Sequence, residues 1–275
     1  GSNPDMGAYE NSLSSSPSPL PVTGLVGTTK TNSAYLSWTA VKASLSSSSN
    51  AADIKYLIYQ GDSQVASSVS TTYTVTGLDN GTTYTFSVAA QDTSSGETGA
   101  TSKSISVTPK YRGPKWYVTS SSDGSALADT STNADLGSIG SPINHLTSAI
   151  EIASAGDTII MQKGTHTGSN NRGIDWNASK SLVIMGDPNY TAENIIIDAG
   201  GRDRHFAFDS GEDNTYQVIG LTLYDGKSTG QGGGSVSIGN NSSPVFKKVI
   251  FKENVDASSD WRGGGAVNIG NYSTP

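Results

Sequence analysis

A thirteen-residue pattern that occurs twice near the end of this 275-residue chain constrains its fold more than any other feature. The segment Gly232–Pro244 realigns with Gly263–Pro275 at an offset of 31 residues, and nine of the thirteen positions are identical. A fixed period of this size is typical of a solenoid, in which every repeat packs on the repeat before it. The C-terminal part of the chain is therefore predicted to be a stack of similar coils.

The repeat also predicts which side chains meet in such a stack. Three pairs are expected to lie one above the other: Val236 on Val267, Ile238 on Ile269, and Asn240 on Asn271. Neighbouring strands lie about 4.8 Å apart, so stacked asparagines can bond side chain to side chain as a ladder. We interpret these pairs as structural chemistry.

Short apolar runs upstream of the repeat extend the predicted stack. They read as strands without intervening helices, which excludes a βαβ protein: Thr158–Met161, Ser181–Met185, Asn194–Asp198, His205–Phe208 and Gln217–Tyr224. One helix precedes them, with Ser141 as its N-cap, Pro142 at its first position and Gly156 as its stop. Its narrow apolar face suits the sealing of an open strand edge.

The region 20–109 has a different pattern, with short alternating strands separated by regular turn signals such as Asn80-Gly81. Trp38, Tyr56, Leu78 and Tyr84 fall at its expected core positions. Together these residues resemble a fibronectin type III domain, and the resemblance implies that Tyr84 bonds back across a corner of the sandwich.

The second region resembles the N-terminal part of a bacterial right-handed parallel β-helix of the pectate-lyase-like kind. The resemblance rests on Trp116-Tyr117-Val118, Ser141-Pro142, Gly156-Asp157-Thr158-Ile159 and the Gly-Gly-Gly turns. The fold class is thus predicted to be all-β, a fibronectin-III-like sandwich plus a right-handed parallel β-helix with an N-terminal capping helix.

Four segments follow from these patterns. We expect the tail of a preceding domain and a Ser/Pro linker over 1–19, the sandwich over 20–109, a hinge over 110–115, and an incomplete β-helix over 116–275. Within the first segment, Asn3–Glu10 resembles the motif that closes many bacterial β-helix domains. Both ends of the chain are therefore expected to continue into further protein.

Composition excludes several functions. The net charge is −7 and the chain has no cysteine, which argues against nucleic-acid binding and removes disulfides, thiolate catalysis and a cysteine zinc site. No apolar run reaches the roughly 18 to 20 residues that span a bilayer.

Candidate sites are few. Aromatic side chains expected near loops are candidates for carbohydrate contact: Trp176, Trp261 and Tyr272. Acidic side chains in the loop 120–140 are weak candidates for calcium: Asp123, Asp129 and Asp135. The densest charged cluster is read as a solvated surface turn rather than an active site: Asp198, Arg202, Asp203, Arg204, His205 and Asp209. His145 and His166 have no second histidine at ligand spacing, so no catalytic residue and no cofactor other than this calcium alternative is assigned.

The leading functional hypothesis is a non-enzymatic structural or adhesive module of a secreted or surface-displayed bacterial protein, able to build an extracellular fibre. Its expected partners are other domains of the same chain, neighbouring copies end to end, or polysaccharide. The alternative is a β-helix polysaccharide lyase or glycoside hydrolase with an accessory fibronectin type III domain and an active site beyond residue 275.

Overall fold

The chain is nearly all β, with one short α-helix among the residues that the structure describes. The structure, a computed structural model, describes residues 18–41, 53–121, 133–176, 180–228, 230, 232–257, 264–270 and 273–275. It separates into two compact units, Gly1–Lys110 and Tyr111–Pro275.

The first unit is a sandwich of two antiparallel sheets. Its strands are β1 Val26–Lys30, β2 Ser33–Ser37, β3 Ile54–Gln60, β4 Ser63–Ser68, β5 Thr72–Thr76, β6 Tyr84–Asp92 and β7 Ile105–Val107. One sheet has the order β1-β2-β5 and the other the order β4-β3-β6-β7. Strands that are neighbours in sequence, such as β4 and β5, therefore lie in different sheets.

Alternating apolar side chains fill the space between these sheets. Trp38 packs edge-on against Tyr56, with ring centroids 5.3 Å apart, and the Tyr56 hydroxyl accepts a hydrogen bond from the Val41 amide at 3.0 Å. The Tyr84 hydroxyl accepts the amide of Asp79 at 3.1 Å. The predicted bond across the corner of the sandwich is confirmed, because the phenol of Tyr84 satisfies a backbone donor that the turn leaves unpaired.

The second unit is a parallel β-solenoid of about three turns. Its strands are β8 Lys115–Val118, β9 Thr158–Met161, β10 Gly164–His166, β11 Ile174–Asp175, β12 Val183–Gly186, β13 Ile195–Asp198, β14 Phe206–Phe208, β15 Gln217–Ile219, β16 Thr222–Tyr224, β17 Lys227–Ser228, β18 Val236–Ile238, β19 Val245–Lys247, β20 Ile250–Lys252, β21 Val255–Asp256 and β22 Val267–Ile269. They form sheets in the orders β8-β9-β12-β15-β19, β10-β13-β16-β20, β11-β14-β18-β22 and β17-β21.

Equivalent side chains of successive coils form inward-facing rows. One row is made by residues paired strand to strand: Trp116, Ile159, Ile184, Val218 and Phe246. The two predicted apolar pairs are confirmed, because Val236 is the register partner of Val267 and Ile238 that of Ile269. Full burial of such a side chain contributes about 1.5–3 kcal/mol, so each coil is stabilised by the coil it lies on.

The strand expected over 217–224 is two strands, because the chain turns a corner in its middle. Gly220 has a φ of 65°, a left-handed conformation that glycine adopts without strain. Its amide donates to the Lys247 carbonyl of the next coil at 2.9 Å. β15 and β16 therefore belong to different sheets.

The predicted start of the helix is wrong. The helix α1 spans Leu146–Ile152, with His145 as its N-cap. The segment before it runs as an extended chain, since the Ile143 amide bonds to the Tyr117 carbonyl at 2.7 Å. Pairing with β8 thus outweighs the local preference of Ser141 and Pro142 for a helix start.

The buried face of α1 joins the solenoid core. Leu146 and Ala149 are both fully buried and share this core with Trp116 and Val118 of β8, the outermost strand of its sheet. A side chain from another turn caps the helix, because Asn171 Oδ1 accepts the Leu146 amide at 2.9 Å. The helix ends at Ile152, four residues before the expected stop.

Candidate functional site

The charged cluster of residues 198–209 is occupied by turn hydrogen bonds. Asp198 accepts the Gly200 amide at 2.8 Å, and Asp203 accepts the Arg204 amide at 2.8 Å. The Arg204 guanidinium donates to the Ser228 hydroxyl at 2.7 Å. These hydrogen bonds hold the turn that leads into β14, which agrees with the interpretation of the cluster as a surface turn.

His205 points from this cluster into the solenoid core and is fully buried. One ring nitrogen, Nε2, lies 2.9 Å from the Ile197 carbonyl, which can only accept, so Nε2 carries the proton. Nδ1 then accepts the Ser235 hydroxyl at 3.0 Å. Burial lowers the pKa of His205 from 6.5 to about 4. This histidine is neutral near pH 7, and its two hydrogen bonds connect one coil to the next.

The other two histidines are also buried in the second unit. His166, at the end of β10, donates through Nε2 to the Gln162 carbonyl at 2.9 Å, and burial lowers its pKa. His145 lies 3.3 Å from the Ser121 hydroxyl through Nδ1. Within the ranges that the structure describes, no three His, Asp or Glu side chains come together in a way that could hold a metal ion.

Trp176 is a core residue, which corrects the expectation that its ring is available to a sugar. Its side chain is 2% exposed, and its ring lies 6.0, 5.4 and 5.5 Å from those of Phe206, Phe208 and Tyr216. The physical reason is alternation, because Ile174 and Trp176 face inward on either side of the exposed Asp175. The other two aromatic candidates, Trp261 and Tyr272, lie outside the described residues.

Of the calcium candidates, Asp123 and Asp129 lie outside the described residues. Asp135 is exposed in a turn, where its amide donates to Asn133 Oδ1 at 3.0 Å. Calcium in the loop 120–140 stays a prediction.

The asparagine ladder takes a different form at the position that can be seen. Asn240 donates through Nδ2 to the Asp209 carbonyl of the preceding coil at 2.9 Å, so the amide satisfies backbone rather than another side chain. Asn271 lies outside the described residues. Asn254 has a fuller role that the sequence reasoning missed: it donates to the Leu223 carbonyl at 2.9 Å and accepts the Gly226 amide at 2.7 Å.

A buried acid was also missed. Glu212 is fully buried in the turn between β14 and β15, where Oε2 accepts the Ser242 hydroxyl at 2.7 Å and the Ser210 amide at 3.1 Å. Its other oxygen, Oε1, has no hydrogen-bond partner among the described residues. A lone glutamate in a polar turn carries no sequence signal for burial, because such residues are mostly exposed.

Comparison with known proteins identifies the first unit. Residues 17–108 match the fibronectin type III domain family. A poly(3-hydroxybutyrate) depolymerase of Ralstonia pickettii is 38% identical over 88 residues, which are 32% of this chain and 18% of the depolymerase. A chitinase of Paenibacillus xylanexedens is 28% identical over 237 residues, which are 79% of this chain and 42% of the chitinase. The chain thus spans less than half the length of either relative.

Among solved structures, a family 28 exopolygalacturonase of Yersinia enterocolitica overlaps 82% of this chain and 41% of its own length, at 15% identity and a TM-score of 0.31. The first unit is a fibronectin type III domain and the second a β-solenoid, as the sequence predicted.

Proposed function

We propose that this chain is a non-enzymatic structural module of an extracellular protein that associates with polysaccharide. The observation that carries the proposal is the unbroken register of the solenoid, in which each strand of the sheet from β8 to β19 pairs in parallel with the next. Such a stack supplies reach and stiffness, since every coil buries its apolar side chains on its neighbours.

The outer surface of the solenoid is consistent with this role. The outward row of the sheet β11-β14-β18-β22 is small or polar: Asp175, Ala207, Ser237 and Asn268. A face of this kind presents hydrogen-bonding groups without a large apolar patch, which limits nonspecific association. Among the described residues no helix has the length and apolar character needed to cross a membrane.

A second candidate function is polysaccharide degradation, favoured by the similarity to a chitinase over 237 residues. In this alternative the fibronectin type III domain is an accessory module, and the catalytic carboxylates lie beyond residue 275. Paired carboxylates about 5 to 10 Å apart would be its signature.

The experiment incubates the full-length protein with insoluble chitin and with polygalacturonate, because the alternative places its catalytic carboxylates beyond residue 275. Two readouts are taken: the fraction of protein that sediments with chitin, and new chain ends measured as reducing sugar and as ultraviolet absorbance of unsaturated products. We expect sedimentation without products, and an unrelated acidic protein of similar size serves as the control. Product formation above this control, with or without calcium, would support the enzymatic alternative instead.

A further inference from the structure

A cleft of about 320 Å³ opens on one flank of the fibronectin type III domain. Its lining comes from β3, β4, β5 and the start of β6, and the residues that matter here are Gln60, Val65, Tyr73, Val75, Thr76 and Tyr84. The cleft has no counterpart in the expectations drawn from the sequence, which assigned Tyr84 to the core and to a hydrogen bond across the corner of the sandwich.

The cleft lies between the edge strands of the two sheets. β4 is the edge of one sheet and β5 the edge of the other, so no strand bridges them. A bulge adds to the opening: Ala66 pairs with Ile58 and Gln64 pairs with Tyr59, which leaves Val65 without a partner. Val65 is 45% exposed at the mouth.

The lining combines aromatic rings with unused polar groups. Tyr73 and Tyr84 are half-buried and pack against the sandwich core. The Tyr84 hydroxyl accepts the Asp79 amide and keeps its own proton to donate. Three side-chain groups of the lining make no hydrogen bond in the part of the chain that the structure describes: the side-chain amide of Gln60 and the hydroxyls of Tyr73 and Thr76.

This chemistry selects a class of ligand. No charged side chain lines the cleft, so an ionised uronate would find no cation to pair with. A pyranose ring matches the lining, because its C–H face packs on aromatic surface while its hydroxyls bond to an amide and to phenols. A volume of 320 Å³ lies at the lower end of the roughly 300–1,000 Å³ typical of ligand pockets, which fits one or two sugar rings.

We infer that this cleft binds a unit of a neutral polysaccharide, with Gln60 and Thr76 reading its hydroxyl or acetamido groups and Tyr73 packing on a ring face. The inference deepens the proposed function, since it places a polysaccharide contact on the fibronectin type III domain.

The test titrates the full chain with three soluble oligosaccharides and follows backbone amide shifts by NMR. Chitotriose and cellotriose distinguish acetamido from plain hydroxyl recognition, and trigalacturonate is the charged control. We expect a neutral trimer to shift the amides of residues 60–65 and 73–78, with no response to trigalacturonate.

Variants locate the site. Gln60→Ala removes one hydrogen-bonding group and is expected to weaken binding about 2- to 10-fold. Val65→Trp fills the mouth from an exposed position and is expected to abolish binding. Gln64→Ala is the matched control, because Gln64 is an exposed glutamine of the same hairpin that does not line the cleft. Amide spectra of each variant show that the sandwich has kept its fold.

The inference is wrong if neither neutral trimer shifts the cleft amides, or if Val65→Trp binds as tightly as the unaltered chain. Either result leaves the proposed function standing when the protein still sediments with chitin. Product formation by the protein without shifts of the cleft amides would contradict both this inference and the proposed function.

Discussion

The two units bury their apolar side chains in different ways, one between antiparallel sheets and the other between parallel coils. In the fibronectin type III domain, antiparallel strands distant in sequence bring alternate side chains together, as when Leu36 pairs with Tyr73. In the solenoid, a residue meets its equivalent one coil later, at successive offsets of 32, 30 and 31 for Ile174, Phe206, Val236 and Val267. A core residue of the solenoid therefore packs against its equivalents in the neighbouring coils, whereas a core residue of the sandwich belongs to a single closed core.

The units also differ in their buried ionisable groups. All three histidines, at positions 145, 166 and 205, lie in the solenoid, and all three are buried. The sandwich instead has Asp92, whose pKa is lowered by hydrogen bonds from the Ser94 hydroxyl and amide and the Ser95 amide. The two units are consequently expected to lose stability in different acidic ranges.

The largest expected effect comes from Phe206→Ala. Phe206 is fully buried, and its ring centroid lies 6.0 Å from that of Trp176 and 6.1 Å from that of Phe208. The cavity is expected to lower the free energy of unfolding of the solenoid by about 3–5 kcal/mol, measured by hydrogen exchange at the amides of Val218 and Leu223. Phe86→Ala, in the sandwich core, is the matched control. It should reduce the protection of amides from hydrogen exchange in the sandwich and not in the solenoid. A loss below about 1 kcal/mol for Phe206→Ala would contradict the shared core.

A smaller effect is expected from pH. The pKa of His205 is about 4 in the folded chain and 6.5 for the ordinary group, so only the unfolded state gains this proton as the pH falls from 6.5 to 4. Between pH 7 and pH 5 the solenoid is expected to lose about 2 kcal/mol, and the lowered pKa of His166 acts in the same direction.

Urea unfolding of the full chain at several pH values, followed unit by unit through assigned amides, measures this effect. The sandwich has no histidine, and the stabilisation from Asp92 is lost only below the ordinary pKa of 3.8. The sandwich is therefore the internal control for the solenoid. A His205 ring that titrates near 6.5 in the folded chain would overturn the assignment.

The smallest effect is expected from Asn254→Ala. The side-chain amide of Asn254 makes two hydrogen bonds to the backbone of the preceding coil: it donates to the Leu223 carbonyl and accepts from the Gly226 amide. Water can reach part of this turn and can replace some of this bonding in the variant. We expect a loss of about 1 kcal/mol in the free energy of unfolding of the solenoid, read from the urea midpoint. Asn189→Ala is the control, because the Asn189 side chain bonds within its own turn, to Asp187. Equal effects of the two changes would argue against a role between coils.

Residues whose partners lie at a fixed sequence distance could be predicted. The pairs of Val236 with Val267 and of Ile238 with Ile269 follow from the 31-residue repeat. The corner bond of Tyr84 was implied by the resemblance to a fibronectin type III domain. The burial of Trp176 agrees with its place two residues after the buried Ile174. This alternating segment is only three residues long, however, so its pattern could not be told from that of a loop.

The sequence alone determined the two kinds of β architecture, because alternation and repeat period are local properties of the chain. Only the tertiary structure decided where α1 starts, since pairing of Ile143 with Tyr117 overrides the cap signals at Ser141. It also decided that His205 and Glu212 lie inside and that a cleft opens beside Tyr73. These features depend on groups contributed by other coils or by another sheet, and no local pattern records such contacts.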